Sequence, residues 1–121
     1  LCGGERQLVL VARALVQNSR ILIMDEPTAN LDYGNQFRIM EQVKKLAHQG
    51  YLILLSTHNP EHALLFADKV LILKDSKIMM YGTPAETLNP QTIENIYGID
   101  VEVQIVHTNK GNVPVFVPCV G

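Results

Sequence analysis

The clearest pattern along the chain is a short aliphatic run that ends in two acids. Residues 21–24 read Ile-Leu-Ile-Met, and Asp25, Glu26 and Pro27 follow directly. Four consecutive apolar residues are too few for a buried helix, so the run predicts a strand covered on both faces, as in a parallel α/β sheet. Proline lacks the N–H that a sheet ladder needs, so Pro27 predicts a turn just after the acids.

Strand and helix patterns alternate along the rest of the chain, which predicts an α/β fold class. Alternating residues on both sides of an Asn/Gly loop at 109–112 predict a terminal β-hairpin. The further predicted strands are residues 52–56 and 70–73, both expected to be buried, then 77–81, 101–106 and 113–117. The predicted helices are residues 8–15, 36–49, 60–67, 85–88 and 91–97.

The composition excludes some classes of function but does not identify one. The 121 residues, 47% of them hydrophobic, fit one soluble domain with a real core. A net charge of -2 gives no general attraction to nucleic acid or anionic lipid, and no apolar run approaches the ~20 residues that span a bilayer. Cys2 and Cys119 lie at opposite ends of the sequence, so neither a zinc site nor a redox pair is indicated, and a reduced, cytosolic setting is expected.

The two acids at the end of the first strand require an explanation, because buried charge is costly unless it is paired or bound to a metal. Ligands of open α/β sheets collect at the carboxyl ends of the strands. Asp25 therefore suits Mg²⁺, which takes oxygen ligands, and Glu26 would be free to accept a proton from an attacking water beside a bound phosphate. The alternative is that both acids only cap the next turn.

His58 follows the strand predicted at residues 52–56, on the same edge of the sheet as the two acids. It is either part of that site or an ordinary loop residue. His58 and His62 also show the i, i+4 spacing of some zinc sites. Because Pro60 fits the first turn of a helix, His58 precedes that helix and the two rings are not expected to converge.

These motifs together resemble the ATP-binding cassette (ABC) ATPases. Residues 1–7 read Leu-Cys-Gly-Gly-Glu-Arg-Gln and resemble their signature loop, residues 21–26 their Walker B strand, residues 28–32 their D-loop and Thr57-His58 their H-loop. The resemblance implies a partial P-loop NTPase (RecA-like) parallel sheet flanked by helices, with a C-terminal β-hairpin. It also implies that residues 1–88 are the C-terminal part of the nucleotide-binding domain and residues 89–121 an extension.

The same resemblance implies Mg-ATP hydrolysis at a nucleotide sandwich between two copies of the subunit. Glu26 would be the base, His58 would fix the γ-phosphate and the water, and Asp25 would hold Mg²⁺. Cys2 departs from the family's serine, and because a thiol is a weak hydrogen-bond donor we expect impaired but not abolished turnover relative to Cys2→Ser. The residues expected to touch ATP bound to the other copy are Cys2, Gly3, Gly4, Glu5 and Asp32.

The chain ends in a helix followed by a hairpin. This ending is similar to that of ATPases that power import of iron-siderophores, haem, cobalamin or, in some members, molybdate. That similarity implies transmembrane permease subunits as partners, a substrate-binding protein as an indirect partner, and a location on the cytoplasmic face of the membrane. For the ending of the chain, the alternative is a generic hairpin cap. For the function, the alternatives are an ATPase of a DNA-repair or chromosome-organising complex and a non-hydrolytic dimerisation module.

The phosphate-binding loop G-x-x-x-x-G-K-[ST] does not occur in these residues. Because the sequence opens on Leu1 inside a motif, we expect a piece of a longer protein that does not hydrolyse ATP alone. The family places the P-loop strand between the strands at residues 52–56 and 70–73. Its absence is expected to leave unpaired edges that favour self-association or pairing with another chain.

Overall fold

The computed structural model describes Arg13 and residues 20–121. The predicted signature loop at residues 1–7 and the predicted helix at residues 8–15 lie outside the described residues, Arg13 excepted. The chain forms two compact units, Leu1–His58 and Asn59–Gly121. The predicted domain boundary between residues 88 and 89 is a different division, and it stays a prediction.

The first unit contains a parallel βαβ arrangement. Strand β1 (Ile21–Asp25) leads through helix α1 (Tyr33–His48) to strand β2 (Leu52–Ser56). The strands pair in parallel from Ile21 opposite Leu52 to Asp25 opposite Ser56. Parallel neighbours require a crossover of this kind, so the predicted parallel sheet is confirmed for this pair.

The described residues cover only one face of the β1–β2 sheet, and the expectation that both strands are fully buried is wrong. Leu22 of β1 is buried, together with the inner face of α1. On the opposite face Ile23 is 77% exposed and Leu52 65% exposed. The helix that joins the two strands can cover one face, and no other described element of this unit covers the second.

The second unit begins with helix α2 (Pro60–Phe66) and the hairpin of β3 (Val70–Lys74) and β4 (Lys77–Gly82). Asp75 and Ser76 form its two-residue turn with φ of 52° and 62°, the left-handed values that a tight hairpin turn requires. The predicted hairpin is therefore confirmed. The prediction that β3 is buried on both faces is wrong, because its side chains alternate, with Ile72 buried and Leu73 65% exposed.

Two short helices and a second hairpin complete this unit. Helix α3 (Pro84–Thr87) is capped by Thr83, whose hydroxyl accepts from the Glu86 N–H at 3.2 Å. Helix α4 (Pro90–Tyr97) ends at Gly98, which has φ 70°. Strands β5 (Val101–Thr108) and β6 (Gly111–Pro118) then pair antiparallel, which confirms the predicted terminal hairpin.

The buried core of the second unit draws on both longer helices, on β3 and β5, and on the residue after α3. Ala63, Met80 and Phe116 are among the side chains packed against it. None of the described helices is long and apolar enough to cross a membrane. Among the described strands β2 pairs only with β1 and β3 only with β4, so both have the free edge that was expected. The core residues are Leu64, Ile72, Leu88, Ile93 and Val101.

Candidate functional site

The carboxyl ends of β1 and β2 bring Asp25 and Ser56 side by side. They are the last residues of the two strands and face each other in the parallel register. The Ser56 hydroxyl donates to Oδ1 of Asp25 at 2.5 Å. This contact fixes the orientation of the carboxylate, because a hydrogen bond to an ionised group is among the stronger kinds.

Glu26 turns the chain immediately after the strand. Its φ is 45°, a conformation that residues other than glycine rarely adopt and that costs of order 1–3 kcal/mol. The Glu26 N–H donates to the Ser56 carbonyl at 3.1 Å and to the Ser56 hydroxyl at 3.0 Å. The Glu26 carbonyl accepts from the Ala29 N–H at 3.0 Å, so the turn expected at Pro27 is present.

The Glu26 side chain contacts His58. Nε2 of His58 lies 2.7 Å from Oε1 of Glu26. A carboxylate can only accept a hydrogen bond, so Nε2 carries the proton of this contact. The histidine side chain is 92% exposed and the glutamate 37%, so the pair contributes only about 0–1 kcal/mol to folding. Its main effect is to set where the glutamate points.

Asp32 has a different local role. It is the N-cap of α1, with Oδ1 accepting from the Asn35 N–H at 2.8 Å and Oδ2 from Nδ2 of Asn35 at 3.1 Å. Between the acids and this cap, Thr28 is buried and Asn30 has a left-handed φ of 63°. Both oxygens of Asp32 therefore engage its own chain, and its role toward a second copy stays a prediction.

The structure brings three of the predicted site residues to one edge, namely Asp25, Glu26 and His58. Ser56 is a further residue of this edge that the sequence reading did not single out. The sequence carried no signal for it, because its position opposite Asp25 depends on the register of the two strands. Of the other predicted site residues, Asp32 caps α1, whereas Cys2, Gly3, Gly4 and Glu5 lie outside the described part of the chain.

The oxygen atoms at this edge could hold Mg²⁺ together with ligands from water or a bound phosphate. Oδ2 of Asp25 accepts no hydrogen bond from any described residue, so it is available to a cation. Within residues 20–121 no group of three His, Cys, Asp or Glu side chains could hold a metal, so a dedicated zinc cage is absent there. Mg²⁺ is commonly bound by one or two carboxylates together with waters and substrate phosphates. The single carboxylate of Asp25 would therefore be enough as the protein ligand.

Comparison with known proteins shows that this chain is similar to ATP-binding proteins of importers. One family model matches residues 4–62, and its description reads AAA domain, AbiEii toxin, Type IV TA system. The hemin import ATP-binding protein HmuV of Photobacterium damselae subsp. damselae is 40% identical over 120 residues, covering 95% of this chain and 44% of that protein. The petrobactin import ATP-binding protein FpuC of Bacillus anthracis is 38% identical over 104 residues, covering 85% and 38% respectively.

Solved structures give the same result. An inward-facing transporter described as of the metal-chelate ABC type matches with a TM-score of 0.89 and 26% identity, over 99% of this chain and 48% of that one. The ATP-binding cassette MJ0796, solved as a dimer in a post-hydrolysis state with ADP and Pi, matches with a TM-score of 0.60 and 33% identity, over 69% and 36%. The chain thus spans less than half the length of these relatives.

Proposed function

The chain belongs to the ATP-binding proteins of ABC transporters, and on this premise we propose that it is part of an ATPase subunit whose hydrolysis of ATP drives import through a membrane permease. Two relatives are named for the import of hemin and petrobactin, which supports haem or another iron chelate as the cargo. In this proposal the subunit lies against the inner face of the membrane through the permease, and a substrate-binding protein delivers the cargo.

The contact between Glu26 and His58 is the single observation that carries the proposal. A general base must be held within hydrogen-bond reach of the water that it activates. In this proposal His58 orients the Glu26 carboxylate, and its exposed imidazole would also contact the γ-phosphate. The strained backbone of Glu26 supports this role, because such conformations cluster at functional sites.

Asp25 would hold Mg²⁺ through Oδ2, while Ser56 retains Oδ1. Bound Mg²⁺ would neutralise charge that develops on the β- and γ-phosphates of ATP. In this proposal the two acids have separate tasks, which is supported by their separate contacts: the Ser56 hydroxyl bonds one carboxylate and the His58 ring the other.

The second half of the site would come from another copy of the subunit. Gly3 and Gly4, with Cys2 and Glu5, would present main-chain N–H groups to the γ-phosphate bound by the partner, since glycine allows close backbone approach. A relative solved as a dimer with ADP and Pi supports this arrangement. Since residues 1–121 contain no G-x-x-x-x-G-K-[ST] loop, we propose that they do not hydrolyse ATP without the rest of the subunit.

The test is ATP hydrolysis and uptake of labelled haem or ferric siderophore by the complete subunit reconstituted with its permease. In Glu26→Gln, both are expected to fall by about 10²-fold or more, because general-base catalysis contributes 10²–10⁴-fold. Glu41→Gln is the matched control, since Glu41 is exposed on α1 and distant in sequence from the site. Equal hydrolysis in Glu26→Gln and the control would reject the proposal.

A further inference from the structure

The loop between Glu26 and helix α1, residues 27–32, is tied to that helix by a side chain. Nε2 of Gln36 donates to the Leu31 carbonyl at 2.9 Å. The contact is partly buried, and a hydrogen bond is stronger where water is partly excluded. Among residues 20–121, this amide is the donor that the structure gives the Leu31 carbonyl.

Helix α1 provides a firm anchor for Gln36. The main-chain N–H of Gln36 donates to the carbonyl of Asp32, the residue that caps the helix, at 3.0 Å. One face of the helix is buried, and Ile39 and Met40 belong to that face. The Gln36 side chain therefore starts from a backbone that the cap and the buried face hold in place.

Two successive turns connect the Leu31 end of the loop to Glu26. The Leu31 N–H donates to the Thr28 carbonyl at 3.3 Å, and the Ala29 N–H donates to the Glu26 carbonyl at 3.0 Å. Thr28 is buried, so the middle of the loop is packed as well. A shift of the Leu31 carbonyl would therefore be passed to the Glu26 main chain through the two turns.

Two residues along this path are strained. The φ of Glu26 is 45° and that of Asn30 is 63°, left-handed values that are uncommon for residues other than glycine. Such conformations persist only where the surrounding contacts over-determine them. Ser56 supplies two such contacts at Glu26, and the Gln36 amide supplies another at Leu31, next to Asn30. Without the Gln36 amide the loop can relax, and Glu26 loses part of the support for its conformation.

We propose that Gln36 is a positioning residue that holds the Glu26 carboxylate in place through this loop. The inference rests on the function proposed above, in which Glu26 is the base. Gln36 contacts the Leu31 carbonyl and no reacting atom, so its effect passes through Glu26. A general base must be held within reach of the water that it activates, so a looser loop lowers the rate of hydrolysis more than it weakens ATP binding.

The test is steady-state phosphate release by the complete subunit with its permease, with kcat and KM for ATP measured separately. Gln36→Met removes the amide donor, and both residues are unbranched and good helix formers. We expect kcat to fall about two- to tenfold, the effect of one hydrogen bond, with little change in KM. Gln36→Lys keeps a donor at the end of its side chain and is expected to retain most of the turnover.

Gln42→Met and Gln42→Lys are the matched controls, since Gln42 is exposed on the same helix. Both are expected to leave kcat unchanged. Urea unfolding of every variant separates positioning from stability, because a purely structural contact would lower the stability of Gln36→Met without changing kcat of the folded subunit. That result would overturn the proposal, as would a loss in Gln36→Lys or in the Gln42 controls equal to that in Gln36→Met.

A second comparison uses Glu26→Gln to show whether the effect passes through the base. In that background Gln36→Met should cause no further loss, because a residue that acts through Glu26 has nothing left to position. A further loss as large as in the unaltered subunit would overturn the proposal. Full hydrolysis in Glu26→Gln would reject the proposed function and this inference together. A loss in Glu26→Gln with an unchanged kcat in Gln36→Met would reject this inference alone.

Discussion

The hydroxyl of Ser56 joins the two acids, since it donates to Oδ1 of Asp25 at 2.5 Å and accepts from the Glu26 N–H at 3.0 Å. Asp25 and Glu26 are adjacent in sequence, yet their side chains serve different partners. One hydroxyl on the neighbouring strand thus fixes both the carboxylate proposed to hold Mg²⁺ and the strained turn that presents the proposed base.

Replacing Ser56 should therefore affect the Mg²⁺ dependence of the complete subunit. Ser56→Ala removes a solvent-exposed hydrogen bond to the Asp25 carboxylate, worth about 0.5–1.5 kcal/mol, so we expect phosphate release to fall roughly two- to tenfold at limiting Mg²⁺. Ser56→Thr keeps a hydroxyl and should retain most of the activity. The measurement is phosphate release across a Mg²⁺ titration, and an unchanged profile in Ser56→Ala would show that the hydroxyl is dispensable.

Asp32 should stabilise α1 through its cap. Asp32→Ala is expected to lower the free energy of unfolding by about 1 kcal/mol, the usual effect of removing an N-cap side chain. Asp32→Asn should be close to neutral, because asparagine caps equally well. Urea unfolding of the two variants beside Glu41→Ala, a change at an exposed position within the same helix, measures this. A loss in Asp32→Asn as large as that in Asp32→Ala would argue that the charge matters, not the cap.

His62 should make stability depend on pH. Burial lowers its pKa below the ordinary value of 6.5, while the neighbouring Glu61 acts in the opposite direction. The folded chain therefore binds fewer protons at this site than the unfolded chain, so stability rises with pH there. This contribution is complete above pH 6.5 and is lost as the pH falls through the lower folded pKa.

The check is urea unfolding at pH 7.5 and pH 5.5 for the unaltered chain and for His62→Gln, which does not titrate. We expect the unaltered chain to lose more stability between the two conditions than the variant does. The three other histidines are present in both proteins and cancel in the comparison. Equal losses would mean that the burial of His62 has no protonation cost.

Features set by neighbouring residues in sequence were predictable. The turn after Asp25, the cap at Thr83 and the helix end at Gly98 follow from local turn and capping chemistry. The parallel pairing of β1 and β2 followed from the helix between them. The placement of His58 beside Glu26 followed because parallel strands end at a common edge.

Two kinds of feature were not predictable: those that depend on contacts between residues far apart in sequence, and those that depend on whether a strand face is covered. An aliphatic run looks the same whether one or both of its faces are covered, so the exposure of Ile23 and Leu73 could not be read from their own segments. The left-handed φ of Glu26 accompanies a hydrogen bond from its N–H to Ser56 on another strand, a contact that the local sequence does not reveal. The hydroxyl of Ser56 resembled that of any serine at a strand end until the register was known.

The central claim is that Glu26 and His58 act as one unit, and a double-mutant comparison of phosphate release tests it most directly. Glu26→Gln and His58→Ala should each slow release by the complete subunit, and the double variant should be no slower than the slower single variant, because residues that act as a unit are not additive. If the fold-losses of the two single variants instead multiply in the double variant, the two residues act independently and the account is contradicted.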